Sequence, residues 1–89
     1  FGKQAYKDAM EVFEKGIKND TTNWELYLNY GNVLAVTNKF EEALQAFQHS
    51  YSLNSSNTKT PYFIALTYRQ LGDTLNANKY YAMYQNLNK

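Results

Sequence analysis

In the stretch Asn38-Lys-Phe-Glu-Glu-Ala-Leu-Gln-Ala-Phe-Gln-His-Ser-Tyr-Ser-Leu-Asn54, the apolar residues Phe40, Ala43, Leu44, Phe47 and Tyr51 return at intervals of three and four. That spacing gathers them on one face of an α-helix. Asn38 with Glu41 three residues on has the capping-box form, in which side chains satisfy the first free backbone amides, and so predicts a helix start. Ala43 stands between two large rings. A methyl there lets a second helix approach closely, while Phe40 and Phe47 fill the space on either side.

The same pattern recurs along the chain with a period of 34. Ala9, Ala43 and Ala77 keep that spacing, as do Phe13, Phe47 and Tyr81. Tyr6 then pairs with Phe40, Trp24 with Thr58, Tyr27 with Pro61, Tyr30 with Ile64, Gly31 with Ala65, and Leu34 with Tyr68. Small residues match small ones, and large mostly match large. Helical periodicity predicts five helices, at about 4–18, 23–36, 39–53, 58–71 and 74–87. Thr22 with Glu25 reads as a second capping box. Thr58 is placed to cap the fourth helix, with Pro61 in its first turn, where a missing amide costs little. Gly72-Asp73 stops that helix and starts the next. Links of two to five residues force antiparallel neighbours.

Composition excludes several classes of function. The chain has 89 residues, enough for one small domain, with 44% hydrophobic and 17% aromatic residues and a formal net charge of +1. One proline and four glycines are too few for a disordered linker. With no cysteine, disulfides, thiolate zinc sites and cysteine nucleophiles are absent. No apolar run is long enough to span a membrane. Because the chain opens at Phe1, it reads as a segment of a longer protein, and no compartment is assigned.

Taken together, these residues resemble the tetratricopeptide repeat family, whose period is also 34. The stretch Asn38 to Asn54 is similar to that family's second helix. The family's small position in the first helix falls at Gly31 and Ala65, and its bulky one at Leu34 and Tyr68. In the second helix the small position falls at Ala9, Ala43 and Ala77, and the aromatic at Phe13, Phe47 and Tyr81. The resemblance implies an all-α, right-handed solenoid of antiparallel helix pairs, with about two and a half repeats. It divides the chain into a second-helix half repeat at 1–23, a full repeat at 24–57 and a final repeat at 58–89. Thr21 and Ser55 replace the family's turn proline, and Tyr27 and Pro61 occupy its tryptophan position. A late second-helix position is normally small because the next first helix packs there. Gly16 and Ser50 obey that rule; Tyr84 does not, which implies that the array ends with the fifth helix.

Function follows from the resemblance rather than from any catalytic motif. His49 is the single histidine, the glycines are scattered, and Glu11, Glu14, Glu41 and Glu42 read as solvated helix faces. The expectation is no enzyme, no metal and no cofactor. Nucleic acid is disfavoured as a partner, because Lys7, Lys15, Lys18 and Lys39 interleave with Asp8, Glu11, Glu14 and Glu41 instead of forming a basic groove. The family's first helices line a concave face that holds a peptide or helix of a partner protein. By resemblance that groove comprises Glu25, Leu28, Asn29, Asn32 and Ala35, with Lys59, Tyr62, Phe63, Leu66, Arg69 and Gln70. Asparagine amides can bond a peptide backbone, the rings can stack, and Lys59 and Arg69 can meet an acidic group. Asn29 and Lys59 also match two positions of the carboxylate clamp of one subfamily, but Phe63 stands where its arginine is expected. Tyr80, Met83, Tyr84 and Leu87 form a second candidate surface, apolar enough for a homodimer or for folding back on the preceding helices. Two other readings are a scaffolding or oligomerising end domain of a larger enzyme or membrane-assembly protein and, more weakly, an RNA-binding helical repeat.

Overall fold

A computed structural model describes residues 2–19 and 22–87, and of residues 2–6 only the backbone. Five α-helices follow one another: α1 (Gly2–Asn19), α2 (Trp24–Val36), α3 (Phe40–Leu53), α4 (Lys59–Gln70) and α5 (Thr74–Leu87). No strand occurs among the described residues. The predicted helices lie within two residues of these bounds. Each helix packs on its neighbours in sequence, α1 on α2, α2 on α3, α3 on α4 and α4 on α5, and the result is a flattened array of 36 × 27 × 17 Å. The packing positions expected of Tyr6 and the turn role of Thr21 lie outside what is described.

The helix ends differ from the sequence expectation in a consistent way. Asn23, rather than Thr22, is the N-cap of α2, its Oδ1 accepting the Leu26 N–H at 3.1 Å. Thr58 is helical in backbone and makes no side-chain cap. The neighbouring Asn57 does this work, accepting the Lys59 N–H at 2.9 Å. These two asparagines are themselves 34 residues apart. Asn38 likewise does not cap α3. Its φ of 65° makes it the left-handed residue that ends α2, with Asn38 N–H donating to Ala35 and Lys39 N–H to Leu34. At the next period Gly72 (φ 80°) ends α4 in the same way, with Gly72 N–H on Arg69 and Asp73 N–H on Tyr68. Both are Schellman closures, in which a left-handed residue turns the chain so that free carbonyls find donors. Asp73 then caps α5 through Asn76, at 3.2 Å, whereas Lys39 in the corresponding place offers α3 no side-chain cap.

The core is a single cluster of Leu28, Leu34, Ala43, Ala46, Phe47 and Ile64. Ala43 and Ile64 are fully buried and Phe47 is 1% exposed. Phe47 stacks on Phe63 of α4, with ring centroids 5.7 Å apart. A Cβ at Gly31 would stand 2.5 Å from the Phe47 ring, so a residue without a side chain is what lets the ring lie against α2. The apolar core is keyed by a buried polar chain. The Ser50 hydroxyl donates to the Trp24 carbonyl at 2.8 Å and lies 3.4 Å from the Thr60 hydroxyl, which also accepts from the Asn57 amide. Ser50, Asn57 and Thr60 are all buried. Buried groups that are each satisfied can fix one arrangement, here tying α2, α3 and α4 to a common angle.

Candidate functional site

Beyond that core, α4 and α5 splay into an open cleft of about 590 Å³. From α4, Tyr62, Ala65, Leu66 and Arg69 face it; from α5, Thr74, Ala77, Asn78 and Tyr81 do. On each helix these residues recur every three or four positions, which is why a single wall of each helix lines the cleft. Ala65 and Ala77 are buried in the floor, Tyr62 and Leu66 are half-buried, and Arg69 and Tyr81 reach solvent. Tyr62 is held from one side by Tyr84, at 4.9 Å between centroids, and from its own helix by Phe63 at 5.7 Å. The rim is therefore aromatic and set by tilted and edge-on ring contacts, with one cation at its end.

The structure sorts the sequence-derived groove into three groups. Tyr62, Leu66 and Arg69 come together in this cleft. Glu25, Asn29, Lys59 and Gln70 are exposed on α2 and α4, and Asn32 and Ala35 are half-buried on α2. Leu28, at 6% exposure, belongs to the core and not to an open groove. Phe63 is half-buried and turned onto Phe47. Leu28 is closed over by the core and Phe63 packs back on α3 of the preceding pair, so their apolar area is used within the array. Of the residues proposed for a dimer face, Tyr80 stacks on Tyr68 at 5.7 Å, and Tyr84 lies near Tyr62 and Tyr81. Met83 is half-buried, and Leu87 is 38% exposed.

Thr74, Asn78 and Tyr81, with the floor alanines Ala65 and Ala77, are lining residues absent from the sequence-derived groove. Tyr81 occupies the position of Phe13 and Phe47 and so reads as core, yet it is 45% exposed. Phe13 has Tyr30 of α2 beside it, and Phe47 has Phe63 of α4. Among the described residues no helix follows α5 to cover Tyr81.

A smaller cleft of about 260 Å³ lies between α2 and α3, beside Tyr27, Tyr30, Glu42 and His49. His49 stacks on Tyr27 with centroids 4.1 Å apart. Burial raises the Tyr30 phenol above its ordinary value, and the carboxylates of Glu14 and Glu42 raise it further, Glu14 also accepting its hydrogen bond. No group of three or more metal-ligating side chains occurs among the described residues, and none of the described helices is long and apolar enough to cross a membrane.

Comparison with known proteins accords with the helix order and the 34-residue register. Residues 12–45 match the tetratricopeptide repeat family. The chain superimposes on MamA AMB-1 with a TM-score of 0.90 at 24% identity, covering 96% of this chain and 50% of that one. This is a tetratricopeptide repeat fold. The repeat array also superimposes on MamA 41-end from Desulfovibrio magneticus RS-1, with a TM-score of 0.91 at 18% identity over 94% of this chain and 48% of that one. A third match is the Yersinia enterocolitica type III secretion chaperone SycD in complex with a peptide of the translocator YopD. There the TM-score is 0.91 at 19% identity, over 96% of this chain and 65% of that one. The repeat array spans about half the length of the MamA chains it matches. No curated protein matches the sequence.

Proposed function

We propose that the repeat array is a protein–protein interaction module that holds a peptide or helix of a partner against its first helices, and that it catalyses no reaction itself. The observation that carries this reading is the aromatic-rimmed cleft between α4 and α5, where Tyr62, Leu66 and Arg69 stand together and open to solvent. A recognition surface needs adaptable polar groups around an apolar floor. Asn29 and Lys59 extend the polar groups along α2 and α4, and Ala65 and Ala77 supply the floor. The similar fold of SycD, crystallised with a peptide of another protein, supports the same use here. In this reading the repeats divide at Trp24 and Thr58, and the binding residues come chiefly from the first helix of each.

Site-specific photo-crosslinking tests the proposal. A benzophenone side chain is placed at Asn29 or at Gln70, both exposed on the first helices, or at Glu41, exposed at the start of α3. In an extract of the source cells, the first two positions should capture the same protein, and Glu41 should not. Equal capture from all three positions would refute a first-helix site, and recovery of RNA in place of protein would transfer the function to nucleic acid.

A further inference from the structure

We propose that the α4–α5 cleft recognises an acidic segment of the partner protein, the Arg69 guanidinium receiving a carboxylate beside the phenols of Tyr62 and Tyr81. The inference rests on the interaction-module reading and adds the partner's chemistry.

The first support is a comparison internal to the chain. Thirty-four residues earlier, the same positions on α2 and α3 are Leu28, Ala35, Phe40, Leu44 and Phe47, all apolar, and all but the half-buried Phe40 belong to or pack against the core closed by Ile64 of α4. In the terminal cleft those five positions hold Tyr62, Arg69, Thr74, Asn78 and Tyr81. Five of the eight lining positions thus carry hydrogen-bonding groups where the earlier pair is apolar, while Leu66 replaces Asn32. A surface meant for another apolar helix would lose stability by this exchange, because buried polar groups must find partners. A polar ligand supplies them.

The second support is steric. Gly16 and Ser50 are the small residues over which Leu26 and Thr60 come close: a Cβ at Gly16 would stand 2.7 Å from the Leu26 side chain, and Ser50 touches Thr60. The third residue of that series is Tyr84, whose ring lies against Tyr62. A helix seating on α5 as α2 and α4 seat on α1 and α3 would meet the Tyr84 ring where those two meet Gly16 and Ser50. The cleft is left for a segment that enters at the end away from Tyr84, where Arg69 stands.

Charge selects what that segment carries. Residues 58–89 contain Lys59, Arg69, Lys79 and Lys89 against the single acid Asp73, whereas residues 1–57 have five basic and seven acidic residues. Asp73 is already engaged, its carboxylate accepting the Asn76 backbone and amide N–H groups at 3.2 and 2.7 Å. Arg69 is exposed and its guanidinium makes no ion pair or hydrogen bond with a described residue. Lys79 lies instead over the Tyr80 ring, 5.8 Å from its centroid. The cleft thus holds a planar donor fork with no internal anion, a group suited to bidentate carboxylate binding.

A random dodecapeptide library displayed on phage and selected on the 89-residue chain tests this. The selected peptides should be enriched in Asp and Glu and should bind more weakly as salt is raised. Arg69→Gln should weaken them about tenfold and Tyr81→Phe about threefold, with Lys79→Gln changing affinity less than about twofold. Thermal unfolding of each variant checks that these exposed substitutions leave the fold intact. Peptides without acidic bias, or with equal affinity for Arg69→Gln, overturn the acidic cleft. If their affinity then depends on Asn29 or Lys59, the interaction module survives; if no peptide is selected, both readings fall. A dimer that Arg69→Gln dissolves gives the cleft to a second copy and also overturns it, as does tighter binding of single-stranded RNA to the same cleft.

Discussion

Gly16 and Gly31 lie in helix interiors, and alanine at each should have opposite effects. Gly→Ala in a helix interior gains about 0.5–1 kcal/mol, because the unfolded chain loses more freedom with glycine and helix propensity rises. At Gly31 a new Cβ would sit 2.5 and 2.6 Å from two atoms of the Phe47 ring and 3.1 Å from a third. That ring has nowhere to go. It is 1% exposed, and Phe63 lies on it at 5.7 Å. Forcing a methyl into such a site costs about 1–3 kcal/mol, so Gly31→Ala should be net destabilising by about 1–2 kcal/mol once the propensity gain is subtracted. At Gly16 the nearest atoms, at 2.7 and 3.2 Å, are the two methyl ends of Leu26. Leu26 is half-buried and can rotate, so the clash is relieved cheaply and Gly16→Ala should be neutral or stabilising by up to about 0.5–1 kcal/mol. Urea denaturation followed by circular dichroism separates the two, since a slope near 1 kcal/mol/M turns the difference into about 1–3 M of midpoint. Phe47→Leu in the Gly31→Ala background should recover part of the loss. Equal effects of the two alanines, or a stabilised Gly31→Ala, would refute the close approach of Phe47 to α2.

Further outcomes follow from the helix ends and the buried groups. Lys39→Asp should give α3 the cap that Asp73 gives α5 and replace a cation with an anion at a helix start, raising stability by about 1 kcal/mol in the same urea assay. Asn57→Ala removes both the α4 cap and the bond to buried Thr60, and should lower stability by about 1–2 kcal/mol. Ala43→Leu should lower it by about 1–3 kcal/mol, since Ala43 is fully buried between helices. The Tyr30 phenol has its pKa raised by burial and by Glu14 and Glu42, so the folded state holds its proton longer than the unfolded chain does. Its contribution is complete below the ordinary phenol pKa and is lost as pH rises through the folded value. Thermal midpoints above pH ~10 should therefore fall less steeply in Tyr30→Phe than in the native chain.

Local chemistry made most of the fold legible. The returns of Ala9, Ala43 and Ala77, with Phe13 and Phe47, specify five amphipathic helices and their order, because helical period and close-packing demands act over a few residues. Gly72 and Asp73 announce a turn for the same reason. The capping residues were less legible. Asn23, Asn38 and Asn57 each lie beside a residue that could cap equally well, and the choice depends on where the preceding turn leaves the backbone. Asn38 is drawn into the left-handed closure of α2, a position that asparagine tolerates and that its sequence neighbours do not reveal.

The candidate site was legible only in part. Tyr62, Leu66 and Arg69 can be placed on one helix face from spacing alone. Tertiary structure decided which of the groove residues remain available. Leu28 holds the position of Tyr62 one period earlier and Phe63 is its chain neighbour, but the core closes over Leu28, and Phe63 is drawn onto Phe47. Tyr81 repeats the position of Phe47 and remains open because no described helix covers it. A period in sequence fixes which side of a helix a residue takes, whereas burial depends on what lies across from it.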